Sequence, residues 1–102
     1  MTRTRFAISL LPLAEEDLTE IVIYVAAERP LAAEHLATKI EKNISLLSTN
    51  PYLGRIPNEE ELARIGYRFL IVDNYLIFYV VEQRTIYVHR IVHGARDYLG
   101  LI

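Results

Sequence analysis

The chain has 102 residues, of which 52% are hydrophobic and 24% are charged, so it can bury a core and does not have a disordered composition. Its net charge of −2 excludes a protein that binds nucleic acid mainly through phosphate contacts, which would carry a strongly basic footprint. The absence of cysteine excludes disulfides and thiolate metal sites and fits a reducing cytoplasm. We expect one cytoplasmic domain over residues 1–102, with no membrane span, because no apolar run approaches the roughly 20 residues needed to cross a bilayer.

The first half of the chain predicts one strand followed by two helices. An apolar run at residues 6–11 predicts the strand, which Pro12 ends because proline cannot donate to a ladder. The first helix has acids in its first turn and an apolar stripe with helical spacing: Leu18, Ile21, Val22 and Val25. After the break at Arg29-Pro30, the second helix runs to about Leu47 with a second stripe: Leu36, Ile40, Ile44 and Leu47. The short connection predicts an antiparallel helical hairpin.

The second half predicts a sheet. Residues 51–61 form the longest irregular segment, with residues 59–61 as a solvated acidic face. Three apolar runs follow from Tyr67, separated only by Asp73-Asn74 and by residues 82–84. This spacing is too tight for helical crossovers and predicts an antiparallel meander. The fold class is therefore α+β, with an N-terminal strand and an antiparallel helical hairpin packed on one face of a small twisted antiparallel sheet.

The middle strand of the meander, residues 75–81, is apolar on both faces. Two helices can cover only one face of a sheet. We therefore expect the other face to be covered by the C-terminal tail, to be covered by a partner, or to stay open, which favours a chain that does not act alone.

A polar cluster ends the last apolar run: His93-Gly94-Ala95-Arg96-Asp97-Tyr98. Arg96 has the fork geometry for a phosphate or carboxylate of a partner, or for an intramolecular salt bridge. Arg68 and Arg90 are ordinary strand polarity or, with Arg96, a basic face. His89 and His93 would lie about 13 Å apart in a strand, too far to share an ion. Neither a metal nor a cofactor is predicted.

Four segments together resemble the RelE/ParE superfamily of bacterial toxins from type II toxin–antitoxin modules, also known as plasmid stabilization proteins. They are A-E-E-D-L at 14–18 with Ile21 and Tyr24, N-P-Y-L-G-R at 50–55, Y-L-I-F-Y at 75–79 and I-V-H-G-A-R-D at 91–97. The resemblance covers nearly the whole chain. It implies a cognate antitoxin, a small DNA-binding protein whose disordered tail wraps the toxin, so that DNA is contacted only through the antitoxin.

The two branches of the superfamily imply different targets. RelE-like members resemble ribosome-dependent endoribonucleases that cleave mRNA without a metal, and they carry a basic residue in the middle strand, where this chain has Leu76. His93, Arg96 and Tyr98 match only part of that catalytic set. ParE-like members inhibit DNA gyrase by binding it.

The sequence therefore favours a non-catalytic toxin that binds DNA gyrase, inhibits growth and is neutralised by its antitoxin. Its predicted target-binding residues are Arg68, Arg90, His93 and Arg96. The alternatives are a RelE-like ribonuclease acting on ribosome-bound mRNA and a toxin-derived scaffold that has lost activity.

Overall fold

The computed structural model describes residues 5–94, in which two helices pack on one face of a four-stranded sheet. The elements are β1 (Ala7–Leu10), α1 (Pro12–Ala26), α2 (Pro30–Leu46), α3 (Glu60–Ile65), β2 (Tyr67–Val72), β3 (Tyr75–Glu82) and β4 (Thr85–His93). The predicted roles of Arg96 and Tyr98 lie outside the described residues. Within residues 5–94, no helix is long and apolar enough to cross a bilayer.

Two prolines set the helix starts. Pro12 is the first residue of α1 and Pro30 is the first residue of α2. Proline suits this position because its fixed φ is helical and the N–H it lacks would have no partner there. The predicted stripe of α2 is confirmed, since Leu36, Ile40 and Ile44 are buried. The stripe of α1 is only partly buried, so α1 lies at the margin of the core.

The sheet has the strand order β1-β4-β3-β2. The predicted meander is confirmed, because β2, β3 and β4 pair antiparallel in succession. Its turns place Asp73 and Gln83 at φ of 54° and 55°, a left-handed conformation that polar turn residues tolerate. The N-terminal strand β1 joins β4 in parallel, with Ala7 opposite Thr85 and Leu10 opposite Val88, so the whole sheet is mixed.

The main core lies between the helical hairpin and the sheet. Tyr79 is fully buried in it, and its hydroxyl accepts a hydrogen bond of 2.8 Å from the backbone N–H of Gly54. A Cβ atom on residue 54 would come within 2.7 Å of the Tyr79 ring and hydroxyl, so only glycine fits. Arg55 pairs with Phe69 through two backbone hydrogen bonds of 2.9 Å. The segment after α2 is thereby fixed against β2.

The opposite face of the sheet has a small core of its own. Phe78, Val92 and Leu62 are buried together there, at exposed fractions of 1%, 4% and 7%. Leu62 belongs to α3, a six-residue helix that begins at Glu60. The prediction that residues 59–61 form a loop is therefore wrong from Glu60 onward, although the acids of α3 are exposed.

This short helix also corrects the inference about the second face. The sequence analysis predicted that the C-terminal tail or a partner covers the second face of the sheet, or that this face stays open. In the structure, Leu62 of the same chain packs on Phe78 of that face. A helix of six residues with one buried apolar side chain gave too weak a periodic signal to be predicted. Exposed apolar side chains lie on the helical hairpin, where Ile23 and Tyr24 are 65% and 71% exposed, and also outside it, as at Ile65 of α3 with 60%.

A histidine also lies against this second core. The Tyr67 hydroxyl is 2.9 Å from Nδ1 of His89, and the two rings meet edge to face at 5.1 Å. Burial lowers the pKa of His89, against a smaller opposing effect of the Glu82 carboxylate. The imidazole is therefore held in its neutral form more strongly than in water.

Tyr79→Phe is expected to lower the free energy of unfolding by about 1–3 kcal/mol, because the buried N–H of Gly54 loses its acceptor. Urea denaturation measures the change. Tyr52→Phe is the matched control: that ring is 61% exposed, and its change is expected to stay within about 0.5 kcal/mol. Equal effects of the two substitutions would show that the buried hydrogen bond contributes nothing.

The unfolding free energy is expected to fall as the pH drops below about 6.5, the ordinary histidine value, because the unfolded chain then takes up a proton that folded His89 resists. Above that pH the contribution of this group is fully present. His89→Gln is expected to reduce the slope between pH 7.5 and 5.5 in urea titrations, whereas His35→Gln, at an exposed position of α2, serves as the control. An unchanged slope in His89→Gln would contradict the assignment.

Candidate functional site

A groove opens where α1 passes the end of β4. The pairing of β1 with β4 stops at Leu10 and Val88, and no other strand of residues 5–94 pairs with β4 on that side. There the carboxylate of Asp17, on α1, accepts a hydrogen bond of 2.9 Å from the backbone N–H of Ile91. A side chain thus replaces the missing strand as the acceptor for this part of the ladder.

Asp17 also binds the side chain of Arg90. Its two oxygens accept hydrogen bonds from Nε at 2.8 Å and Nη2 at 3.0 Å, a bidentate arrangement. The Asp17 side chain is 11% exposed and that of Arg90 is 35% exposed, so the pair is partly shielded from solvent. The sequence explained Asp17 only as an acid in the first helical turn, because the two residues are 73 positions apart.

The groove has a volume of about 400 Å³. It contains two of the four predicted target-binding residues, Arg90 and His93. Its other lining residues come from α1, from β3 and from β4: Asp17, Glu20, Ile21, Tyr24, Tyr75, Ile91 and Val92. The site is therefore mixed in character, with carboxylates, tyrosines and aliphatic side chains around one guanidinium and one imidazole.

His93 lies at the end of this groove. Its ring meets Tyr75 edge to face, with 5.6 Å between the ring centroids. Its Nδ1 atom is buried and has no hydrogen-bond partner among the described residues. Most buried polar atoms in proteins have a hydrogen-bond partner, so this nitrogen is an exception among the described residues.

Arg68 does not join this site. Its guanidinium donates to the carbonyl oxygens of Tyr52 and Gly54, at 3.2 and 3.0 Å, and lies 5.1 Å from the centre of the Tyr52 ring. Arg68 pairs with Tyr79, on the helix side of the sheet. By contrast, Arg90 is opposite a residue of the second core. Arg68 and Arg90 therefore do not form one basic face.

Leu76 occupies the strand position where a ribonuclease of the RelE type would carry a basic residue. It packs against the second core, and a Cβ atom on Gly94 would lie 3.4 Å from its Cγ. The position is therefore apolar in contacts as well as in sequence. Within residues 5–94, no group of three His, Asp or Glu side chains is arranged to hold a metal ion.

The model of the family described as the ParE toxin of the type II toxin–antitoxin system, parDE, matches residues 8–98. The chain belongs to this family of type II toxin–antitoxin toxins. No protein of curated function matches it.

Two solved structures share the fold. A chain of the chromosomal ParDE TA system from P. aeruginosa superposes with a TM-score of 0.74 at 19% identity, over 87% of this chain and 96% of that one. A chain of the RelBE2 toxin–antitoxin complex from Mycobacterium tuberculosis gives 0.64 at 20% identity, over 90% and 94%. The predicted resemblance and fold class are thus confirmed. At sequence identities of 19% and 20%, the two solved structures show a shared fold and nothing more.

Asp17→Asn is expected to lower the free energy of unfolding by about 2–3 kcal/mol, because three hydrogen bonds lose their charged acceptor and Arg90 loses its counter-ion. Urea denaturation measures the loss. Glu16→Gln removes an exposed charge from the same turn and is expected to change stability by less than about 0.5 kcal/mol. If Asp17→Asn is as mild as this control, the carboxylate does not fasten α1 to β4.

Proposed function

We propose that this protein is a cytoplasmic toxin that binds and inhibits DNA gyrase and is neutralised by a cognate antitoxin, with residues 1–102 acting as one toxin domain. The observation that carries the proposal is the match of the ParE toxin family to residues 8–98. In that family model the toxin is one half of a two-protein module, which supports an antitoxin as the partner. The TA system and the toxin–antitoxin complex that share its fold are in keeping with this.

The chemistry of the groove favours binding over catalysis. Cleavage of RNA needs preorganised positive charge around the phosphoryl group in its transition state. In the groove, the guanidinium of Arg90 forms a bidentate pair with Asp17, and Leu76 supplies no charge from the middle strand. These features support a toxin that occupies its target rather than one that cleaves RNA.

The proposed target surface begins at the groove. Arg90 and His93 line it, and the chain continues directly from there to Arg96. Arg68 remains a proposed contact, but it would act from a separate patch beside Tyr52. The Asp17 carboxylate holds the end of β4, which bears His93, in a fixed place relative to α1.

Purified toxin is expected to inhibit supercoiling of relaxed plasmid by gyrase and to leave ribosome-bound mRNA intact. Arg96→Ala is expected to weaken the inhibition about tenfold or more, because a charged contact with the target is removed. Arg64→Ala is the matched control, since that side chain is 72% exposed on α3, away from the groove.

The paired measurement also separates the competing activity. If the toxin cleaves ribosome-bound mRNA and leaves supercoiling unaffected, the proposed gyrase binding is wrong and the protein is a ribonuclease. Inhibition that is equally strong in Arg96→Ala and wild type would show that the target surface lies elsewhere.

A further inference from the structure

We propose that the groove between α1 and the end of β4 binds an arginine side chain of the antitoxin. This inference rests on the proposed function, and it specifies the chemistry of the partner at the same site. It concerns the lining residues Glu20, Tyr24, Tyr75 and His93, together with the Asp17–Arg90 pair.

The charge of the groove selects a cation. Arg90 is matched by Asp17, which leaves the Glu20 carboxylate as the unbalanced charge in the lining. Among the described residues, none forms an ion pair with Glu20. Further exposed acids lie along α1 and just after it: Glu15, Glu16 and Glu28. An anionic segment would meet repulsion here, whereas a basic side chain gains a counter-ion.

The shape and the aromatic lining favour arginine over other polar side chains. Tyr24 and Tyr75 place two rings in a groove of about 400 Å³, a volume suited to a buried side chain. A guanidinium stacks on such rings by cation–π attraction and still has five N–H donors to share. The Glu20 carboxylate is a hydrogen-bond acceptor in this lining, and Nδ1 of the lining residue His93 is an acceptor when the neutral imidazole carries its proton on Nε2.

The surroundings indicate that this arginine belongs to an apolar segment. Tyr24 is 71% exposed, and Ile23, the residue before it on α1, is 65% exposed. A partner that places an arginine in the groove therefore also covers exposed apolar surface on α1, which contributes the non-directional part of the affinity. An amphipathic tail that folds on contact has this combination of chemistry.

Occupancy of the groove also accounts for neutralisation. The arginine would cover Arg90 and His93, two of the proposed target contacts, so antitoxin and target could not occupy the surface together. The acidic character of this groove distinguishes the proposed contact from an antitoxin that neutralises basic toxin residues with acidic ones.

The test measures the affinity of the small protein encoded beside the toxin gene, purified and used as the antitoxin, for three forms of the full-length toxin. Glu20→Lys is expected to weaken binding about tenfold or more, because it puts a like charge against the arginine. Glu41→Lys makes the same charge change at an exposed position of α2 outside the groove and is expected to stay within about threefold of wild type. Urea denaturation checks that both variants fold.

A charge swap identifies the contact. Exchanging one antitoxin arginine for glutamate is expected to weaken binding to the wild-type toxin and to restore it to Glu20→Lys, in a double-mutant cycle. The inference is overturned if Glu20→Lys binds the antitoxin with wild-type affinity. It is also overturned if Glu20→Lys loses gyrase inhibition but still binds the antitoxin as wild type does, because the groove would then bind the target and not the antitoxin. If the purified antitoxin forms no complex with the wild-type toxin, the antitoxin part of the proposed function is wrong, and this inference is wrong with it. Antitoxin binding that depends on Glu20 in a toxin without effect on gyrase refutes only the gyrase target.

Discussion

One carboxylate connects the two layers of this protein where the sheet would otherwise be incomplete. Beyond Val88, β4 has lost β1 as its neighbour, and Asp17 of α1 accepts the N–H of Ile91 in its place. The same carboxylate holds Arg90. A partly buried ion pair is weak evidence of stability by itself, but one carboxylate with three donors fixes direction as well as distance. The position of α1 beside β4, and hence the groove between them, depends on this arrangement.

A different constraint holds the chain on the β2 side of the sheet. The segment after α2 lies against β2 because Tyr79 accepts the N–H of Gly54 and Arg68 donates to two nearby carbonyl oxygens. The N-P-Y-L-G-R segment therefore has a structural explanation in this chain. Arg68 belongs to that arrangement, which leaves Arg90 and His93 as the predicted residues that share one groove.

The groove is acidic where a toxin of a nucleic-acid-cleaving type would need positive charge. Glu20 adds a carboxylate to the Asp17–Arg90 pair, and Leu76 leaves the middle strand uncharged. This balance, with two tyrosines in the lining, suits recognition of a basic protein segment. The electrostatics of the groove are thus in keeping with the function proposed for this member of the ParE toxin family, the binding of other proteins.

Periodicity and turn chemistry were enough to predict the helical hairpin, the meander and the α+β class. Apolar stripes such as that of Leu36 and Ile40, the helix-starting prolines and the polar turn at Asp73 are local signals that a sequence carries openly. The parallel pairing of β1, the cover that Leu62 gives to Phe78 and the Asp17–Arg90 pair came only from the tertiary structure. Each of these contacts joins residues that are far apart in sequence, or involves an element too short to show periodicity. A local sequence pattern therefore cannot predict such contacts.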